Sequence, residues 1–458
     1  MLYHSTNLKA EPERFGAALL KGLAADGGLF MPERYPTFTA AELEALRGLD
    51  YPGIAFEVLH KFLADELPAD ELRRLVNDAY DFPVPLEAVE GAPGRFVMRL
   101  DQGPTASFKD FAARMMGRLM QHFLGQEGRR LLILTATSGD TGSAIANAFY
   151  GLDNIQVVVL FPTTEVTARQ RKQMTTLGRN IRVLSLDGKF DDCQALVKLA
   201  FNDRELDALQ LSSANSINIG RLLPQAVYYF HAWAKLAKPG EEVVFSVPSG
   251  NFGDLMGGLI AKKMGLPVRR FVVATNENDE FPLYWENGEY HVIAPSRNCI
   301  SSAMNVGHPS NVARLIAMYG GIMDEKGRIH RPADLDAVRR DMFAVSVTDA
   351  QTEATIRDAW RDHRLLLEPH GAVAWAGLTR FAAAHPAEAA GDLGTGRTCV
   401  SVETAHPAKF PEKIIELLGF DPALPPSLAG LDDKPEHVAP LDNDYPAFKA
   451  LLQEKYGS

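Results

Sequence analysis

A lone lysine, Lys109, sits in the stretch Gly103-Pro104-Thr105-Ala106-Ser107-Phe108-Lys109-Asp110-Phe111, where an apolar helical period begins with Phe111, Met115, Leu119 and Phe123. Ser107 and Asp110 have the spacing of a capping box for that helix. A helix N-terminus carries roughly half a positive charge and so disfavours an ammonium group. Phe108 and Phe111 add an apolar surround. Both influences favour a neutral, nucleophilic amine.

Three strand-to-turn junctions are rich in small and hydroxyl residues: Thr135-Ala136-Thr137-Ser138-Gly139-Asp140-Thr141-Gly142-Ser143, Ser246-Val247-Pro248-Ser249-Gly250-Asn251-Phe252-Gly253-Asp254, and Glu403-Thr404-Ala405-His406-Pro407. Turns of this kind aim several backbone N–H groups at one point, which suits a phosphate or a carboxylate. The same residue types also serve as ordinary caps and tight turns. Nucleotide motifs do not account for them. Gly188-Lys189 is followed by Phe190 and lacks P-loop spacing, and no G-x-G-x-x-G follows a strand. Neither H-E-x-x-H nor G-x-S-x-G occurs. A reactive amine beside anion loops, without a nucleotide motif, points to a smaller phosphorylated cofactor. Pyridoxal phosphate (PLP) fits: its aldehyde needs an amine, its phosphate a backbone-lined loop, and its pyridine nitrogen one polar partner.

The elements that must position these groups follow from the hydrophobic pattern. Residues 1–95 read as a mainly helical N-terminal region, with FGAALLKGL, AFEVLHKFLADEL and ELRRLVNDAYDF. Beyond it, RLLILTATSG, IQVVVLFP and IRVLSL read as strands alternating with helices. After the helical RLLPQAVYYFHAWAKL, the theme recurs in EVVFSVPSG, DLMGGLIAKKMG and RRFVVAT. Such alternation builds parallel sheets. The expected fold is α/β, with two doubly wound lobes at residues 96–240 and 241–458, and ligands at the carboxyl ends of the strands. The C-terminal part is helical apart from the strand RTCVSVETAH, and it ends in a Pro-rich acidic stretch.

Among 458 residues, 46% are hydrophobic and 23% charged, ordinary values for a globular chain. A net charge of -11 argues against nucleic acid as the main partner. No apolar run approaches the ~18 residues of a membrane helix, and MLYHSTNLKAEPERF does not read as a secretory signal. Cys193, Cys299 and Cys399 form neither a disulfide framework nor a metal motif. A cytoplasmic monomer or homodimer without a metal is expected. His308, His370 and His406, near small-residue turns, read as structural.

The motifs YHSTN, GLAADGGLFMPE, GPTASFKDF, ATSGDTGSA, ANSINIGRLLPQ, PSGNFGD and TAHPAKFPEKI together resemble the threonine synthases, PLP enzymes of fold type II, nearly end to end. The resemblance implies that Lys109 binds PLP covalently and acts as acid and base. It implies that Ser249, Gly250, Asn251, Phe252, Gly253 and Asp254 cradle the cofactor phosphate, mostly by backbone N–H, and that Thr404 faces the pyridine nitrogen. Thr137, Ser138, Gly139 and Thr141 match the loop for the substrate carboxylate. Asp140 stands where many relatives carry an Asn that reaches the cofactor's 3′-oxygen, and an aspartate there needs a proton of its own or a nearby donor. Asn215, Ser216 and Arg221 match the group that binds the phosphate of the substrate, a small phosphorylated amino acid. The implied reaction is O-phosphohomoserine plus water to L-threonine and phosphate. A PLP-dependent phospho-lyase or a serine/threonine dehydratase on the same fold is the alternative.

Overall fold

The computed structural model describes residues 1–164, 166–390 and 397–457. The continuous apolar runs become strands buried on both faces, as parallel sheets covered by helices require. Leu131–Ala136, Ile155–Pro162 and Ile181–Leu186 lie side by side and parallel, with Leu211–Ser212 at one edge and Val438–Leu441 at the other. A second sheet orders Met342–Ser346, Val268–Thr275, Val243–Pro248, Cys399–Glu403 and Arg95–Arg99 in parallel, closed by antiparallel Leu86–Ala88. The two doubly wound α/β units read from the sequence are therefore present.

The two sheets exchange segments across the boundaries drawn at 95/96 and 240/241. Leu86–Ala88 and Arg95–Arg99 belong to the second sheet, and Val438–Leu441 completes the first. A strand pairs with whichever open edge its N–H and C=O groups can reach, and chain order does not decide that. The helix Tyr445–Tyr456 then covers the first sheet through Phe448 and Leu452, which pack with Leu184 and Leu196.

The N-terminal region is helical at Phe15–Lys21, Ala40–Ala45, Tyr51–Leu63 and Ala69–Ala79. It also holds a small antiparallel sheet, Glu13–Arg14, Leu2–Ser5 and Phe30–Pro32, which the short runs ER, LYHS and FMP do not announce. Asp26 ties its connecting turn, accepting from Ser5 Oγ and from the backbone N–H of Lys9, Ala10 and Gly28.

Tyr51 and Tyr228 pack edge-on against Phe111, within 5.4 and 5.7 Å between ring centroids. Such contacts fix the helix Lys109–Glu127 between the N-terminal helices and the connecting helix Ala226–Leu236. The carboxyl ends of Leu131–Ala136, Val243–Pro248 and Cys399–Glu403 lead into SGDTG, SGNFGD and TAHPAK. Among the described residues no helix is long and apolar enough to cross a membrane.

Candidate active site

Lys109 is the first residue of its helix, with its backbone N–H 3.3 Å from Ser107 Oγ. The capping box read from Ser107 and Asp110 does not form. Phe108, the residue before the helix, already has helical dihedrals, and the Asp110 carboxylate turns back onto Thr105. It accepts from the Thr105 N–H at 2.8 Å and from the Thr105 hydroxyl at 2.6 Å. A Cβ on Gly103 would lie 2.4 Å from that carboxylate, so the turn closes only around glycine. Lys109 Nζ lies 5.3 Å from the centre of the Phe108 ring. Burial draws its amine down to about 8; Asp140 opposes this, while Lys409 and Arg221 reinforce it. The apolar, positive setting read from the sequence is thus present.

In the loop after Leu131–Ala136, Thr137 Oγ1 accepts from the N–H groups of Gly139 and Gly142 at 2.9 and 2.8 Å. Its hydroxyl oxygen is spent on shaping the loop, while Ser138 and Thr141 stay half-buried. Gly139 has φ 133°, a left-handed value that a side chain would strain. Asp140 opens the next helix, and the donor it requires is Lys409, whose Nζ lies 2.6 Å away, with Gln170 Nε2 at 2.9 Å. Burial opposes its charge, but Lys409, Lys109 and these hydrogen bonds outweigh burial and hold the carboxyl well below the usual range.

The loop Ser249–Asp254 turns on Phe252, a non-glycine residue at φ 63°, directly before the helix Gly253–Lys263. The Ser249 N–H is taken by Ala274 O, whereas those of Gly250, Asn251 and Phe252 have no protein acceptor among the described residues. These N–H groups and the helix N-terminus make an anion cradle. Two side chains of the motif face elsewhere. The Asp254 carboxylate accepts from the hydroxyls of Tyr228 and Tyr229, each at 2.6 Å, and Asn251 reaches Ser216 and Ser310. Asp254 can thus contribute to an anion only through its backbone.

Asn251 Nδ2 donates to Ser216 Oγ at 2.5 Å and so joins this cradle to the segment Asn215–Arg221. Arg221 is buried; its Nη1 donates to Ala214 O at 2.6 Å, and its Nε has no hydrogen-bond partner among the described residues. Asn215 Oδ1 likewise has no hydrogen-bond partner among the described residues. Burial pulls Arg221 down to about 10, with Asp110 opposing. Orphaned buried polar atoms are expensive unless a ligand meets them. Thr404, just past Cys399–Glu403, is buried, and its carbonyl accepts the Phe108 N–H at 2.8 Å, docking it beside the lysine segment.

Several functional groups escaped the sequence reading. Lys409 and Gln170 hold Asp140, as above. Arg314, fully buried, donates to the carbonyls of Phe30, Ser216 and Ile217 and to Asn311 Oδ1, bracing Asn215–Arg221 against the N-terminal sheet. Asn218 adds a second brace by donating to Leu19 O at 2.8 Å. Glu403, Glu368 and His370 form a buried polar group behind Thr404. The DGGLF and TAHPAK motifs were the available signals for Arg314 and Lys409, but neither motif names its distant partner. His308 is structural, bonded to Tyr290 and the Glu325 carbonyl.

A helix-start amine, a free N–H cradle and an unpaired guanidinium Nε fit a pyridoxal phosphate with an anionic substrate beside it. The chain accordingly matches the family model for pyridoxal-phosphate dependent enzymes over residues 83–404, and its α/β fold is fold type II. On either side it matches the models for the threonine synthase N terminus, residues 2–80, and the threonine synthase C-terminal region, residues 381–452. The threonine synthase of Escherichia coli K12 is 40% identical over 97% of this chain and 98% of its own length. That of Serratia marcescens is 39% identical over 92% of each chain. The PLP-bound threonine synthase structure from Brucella melitensis superposes with TM-score 0.90 at 38% identity, covering 100% of both chains. The Escherichia coli structure gives 0.86 at 38% identity, covering 99% of this chain and 100% of its own. The chain belongs to the threonine synthase family.

Proposed function

We propose that this chain converts O-phosphohomoserine and water to L-threonine and inorganic phosphate with PLP as cofactor, a lyase reaction of threonine biosynthesis. Lys109 Nζ would carry the cofactor's aldehyde carbon, the N–H groups of Gly250 to Asp254 its phosphate, and Thr404 would face its pyridine nitrogen. When bound, the cofactor supplies an electron sink for the pair left at Cα, chemistry that no side chain provides.

The chain's own residues do the rest. Lys109 Nζ, drawn near neutrality by burial, takes the Cα proton once the substrate amine has displaced it. It then takes a proton from Cβ so that phosphate can leave from Cγ; Cγ and Cα each receive a proton in turn, and the hydroxyl of water adds at Cβ. Ser138, Gly139 and Thr141, at the start of the helix Asp140–Phe149, orient the α-carboxylate, with Thr137 shaping that loop. Arg221, Asn215 and Ser216 bind the substrate phosphate and stabilise it as it departs. Buried surroundings keep stray water from the reacting carbons.

The observation that carries this reading is a lowered amine that feels the charge of Arg221, whose Nε has no hydrogen-bond partner among the described residues. Three buried thiols, Cys193, Cys299 and Cys399, support a cytoplasmic setting. Incubating the holoenzyme with O-phosphohomoserine tests the reaction: threonine and phosphate should appear in equal amounts. Ammonia with 2-oxobutanoate would instead identify a phospho-lyase or a serine/threonine dehydratase. Lys109→Ala should lose the visible absorbance of covalently held PLP after dialysis.

A further inference from the structure

One carboxylate in the site is paired with one lysine and felt by a second. Asp140 faces Lys409 Nζ at 2.6 Å, and Lys109 is near enough for both charges to act on it. Lys409 has no exposed surface and also donates to Thr105 O at 2.8 Å, in the segment that leads to Lys109. Its nitrogen is therefore held by one carboxylate oxygen and one carbonyl, whereas Lys109 Nζ lies 5.3 Å from the centre of the Phe108 ring. A buried ion pair contributes little net stability, because desolvating two charges offsets most of their attraction. A stability role therefore explains the pair poorly. Its position explains it better, since it links the TAHPAK turn to the carboxylate loop and to the lysine segment.

We propose that Lys409 is a positioning residue of the reaction. It occupies Asp140 so that this carboxylate cannot neutralise Lys109, and it adds a second positive charge, leaving Lys109 as the lysine that sheds its proton. The inference rests on the reading of Lys109 as the reacting amine. The charges facing Lys109 come from four elements: Asp140 at its helix start, Lys409 in the Pro407–Lys409 turn, Arg221 in Ile219–Leu222, and Glu368 before the helix Pro369–Ala384. Around Asp140 stand Lys409, Lys109 and the neutral Gln170. Among the described residues, Lys409 is the cation in ion-pair contact with Asp140, beside the hydrogen bond from Gln170.

The sign of each perturbation follows. Lys409→Met removes a cation and frees Asp140 to face Lys109, so the Lys109 amine should titrate higher, by about one pH unit. Asp140→Asn removes the anion and should move it the other way. The double variant should return close to wild type, and Lys409→Arg should largely restore it.

The readout is the pH dependence of Lys109 acetylation by acetic anhydride in the full-length protein freed of PLP, followed by peptide mass spectrometry. A merely structural Lys409 would lower Tm and activity without moving this curve. Opposite shifts in the two single variants support the proposal, and an unchanged Lys109 titration in both overturns it. If Lys409→Met does not fold, Lys409→Gln decides instead: an upward shift of the Lys109 curve supports the proposal and no shift overturns it. Borohydride reduction of the PLP-loaded wild type, with peptide mapping, separates the two readings. PLP on Lys109 upholds the premise, whereas PLP on Lys409 overturns both the premise and the proposal.

Discussion

Nδ1 of His370 lies 2.5 Å from a carboxylate oxygen of Glu368, and Nε2 of the same ring accepts the Ala303 N–H at 3.0 Å. A ring that donates at one nitrogen and accepts at the other is a neutral imidazole with its proton on Nδ1. The Ser302–Met304 turn that it holds packs directly on the loop Ser249–Asp254, where a Cβ on Gly250 would lie 2.8 Å from Met304 Cα. The turn that His370 holds thus supports the loop Ser249–Asp254. His370→Ala should weaken PLP retention about tenfold, equivalent to one hydrogen bond to a charged network. Equilibrium dialysis measures this, and the KM for substrate should change far less.

On the other side of Glu368, Gly371 allows the two carboxylates to pack. A Cβ there would stand 1.5 Å from Glu403 Oε2, in a group where Glu403 Oε1 accepts the Glu368 N–H at 3.0 Å. Burial and the Glu368 charge raise the Glu403 carboxyl well above its usual range. In an open helix, Gly→Ala stabilises by up to about 1 kcal/mol. Here Gly371→Ala should destabilise by about 2 kcal/mol through overpacking, lowering Tm. An unchanged or higher Tm would contradict the packing.

Asp254 offers a test with a defined pH sign. Burial raises its carboxyl to about 6, with the Tyr228 and Tyr229 hydroxyls opposing. A folded value above the unfolded one means that its stabilising contribution is complete below about pH 4 and is lost as pH rises through 6. The loss is on the order of 2–3 kcal/mol. Asp254→Asn, which keeps an oxygen for the two tyrosines, should therefore be more stable than wild type in urea at pH 8, and the advantage should vanish near pH 4. PLP content should be retained, because the carboxylate faces the tyrosines.

Arg221 should separate substrate from cofactor. Replacing it with Ala removes the fork of donors next to the Asn215–Ser216 turn and should raise KM for O-phosphohomoserine about a hundredfold, with little change in bound PLP. Arg221→Lys should recover only part of the loss. Steady-state kinetics at fixed PLP occupancy checks both.

Asn218 should report on the brace between the N-terminal region and the substrate segment. Its amide donates to Leu19 O and Ser213 O and accepts from the Gly220 N–H. Asn218→Ala strands these buried groups and should cost about 2–4 kcal/mol of unfolding free energy, seen in urea melts.

The parallel strands, the helix that starts at Lys109 and the turns at Gly139 and Gly250 were legible because their signals are local. Apolar runs identify strands, a helical period identifies the helix, and glycine marks tight turns. Local signals can also mislead. Ser107 and Asp110 have capping-box spacing, yet Asp110 bonds Thr105, because the tight Gly103–Thr105 turn brings a nearer donor to it. The strands Leu2–Ser5, Glu13–Arg14 and Phe30–Pro32 were invisible because two to four residues are too few to show alternation.

By itself the sequence determined that this chain builds two α/β units, presents an amine at a helix start, and offers anion-binding turns at strand ends. Each of these properties depends on residues close together in the chain. Only the tertiary structure decided which charges meet: Lys409 with Asp140, Arg314 with the Ser216 and Ile217 carbonyls, and His370 with the turn behind Gly250. It also decided that Val438–Leu441 closes the first sheet, while Arg95–Arg99 joins the second. The physical reason is that pairing energy between distant groups depends on distance and burial. Both are fixed only when the lobes have packed.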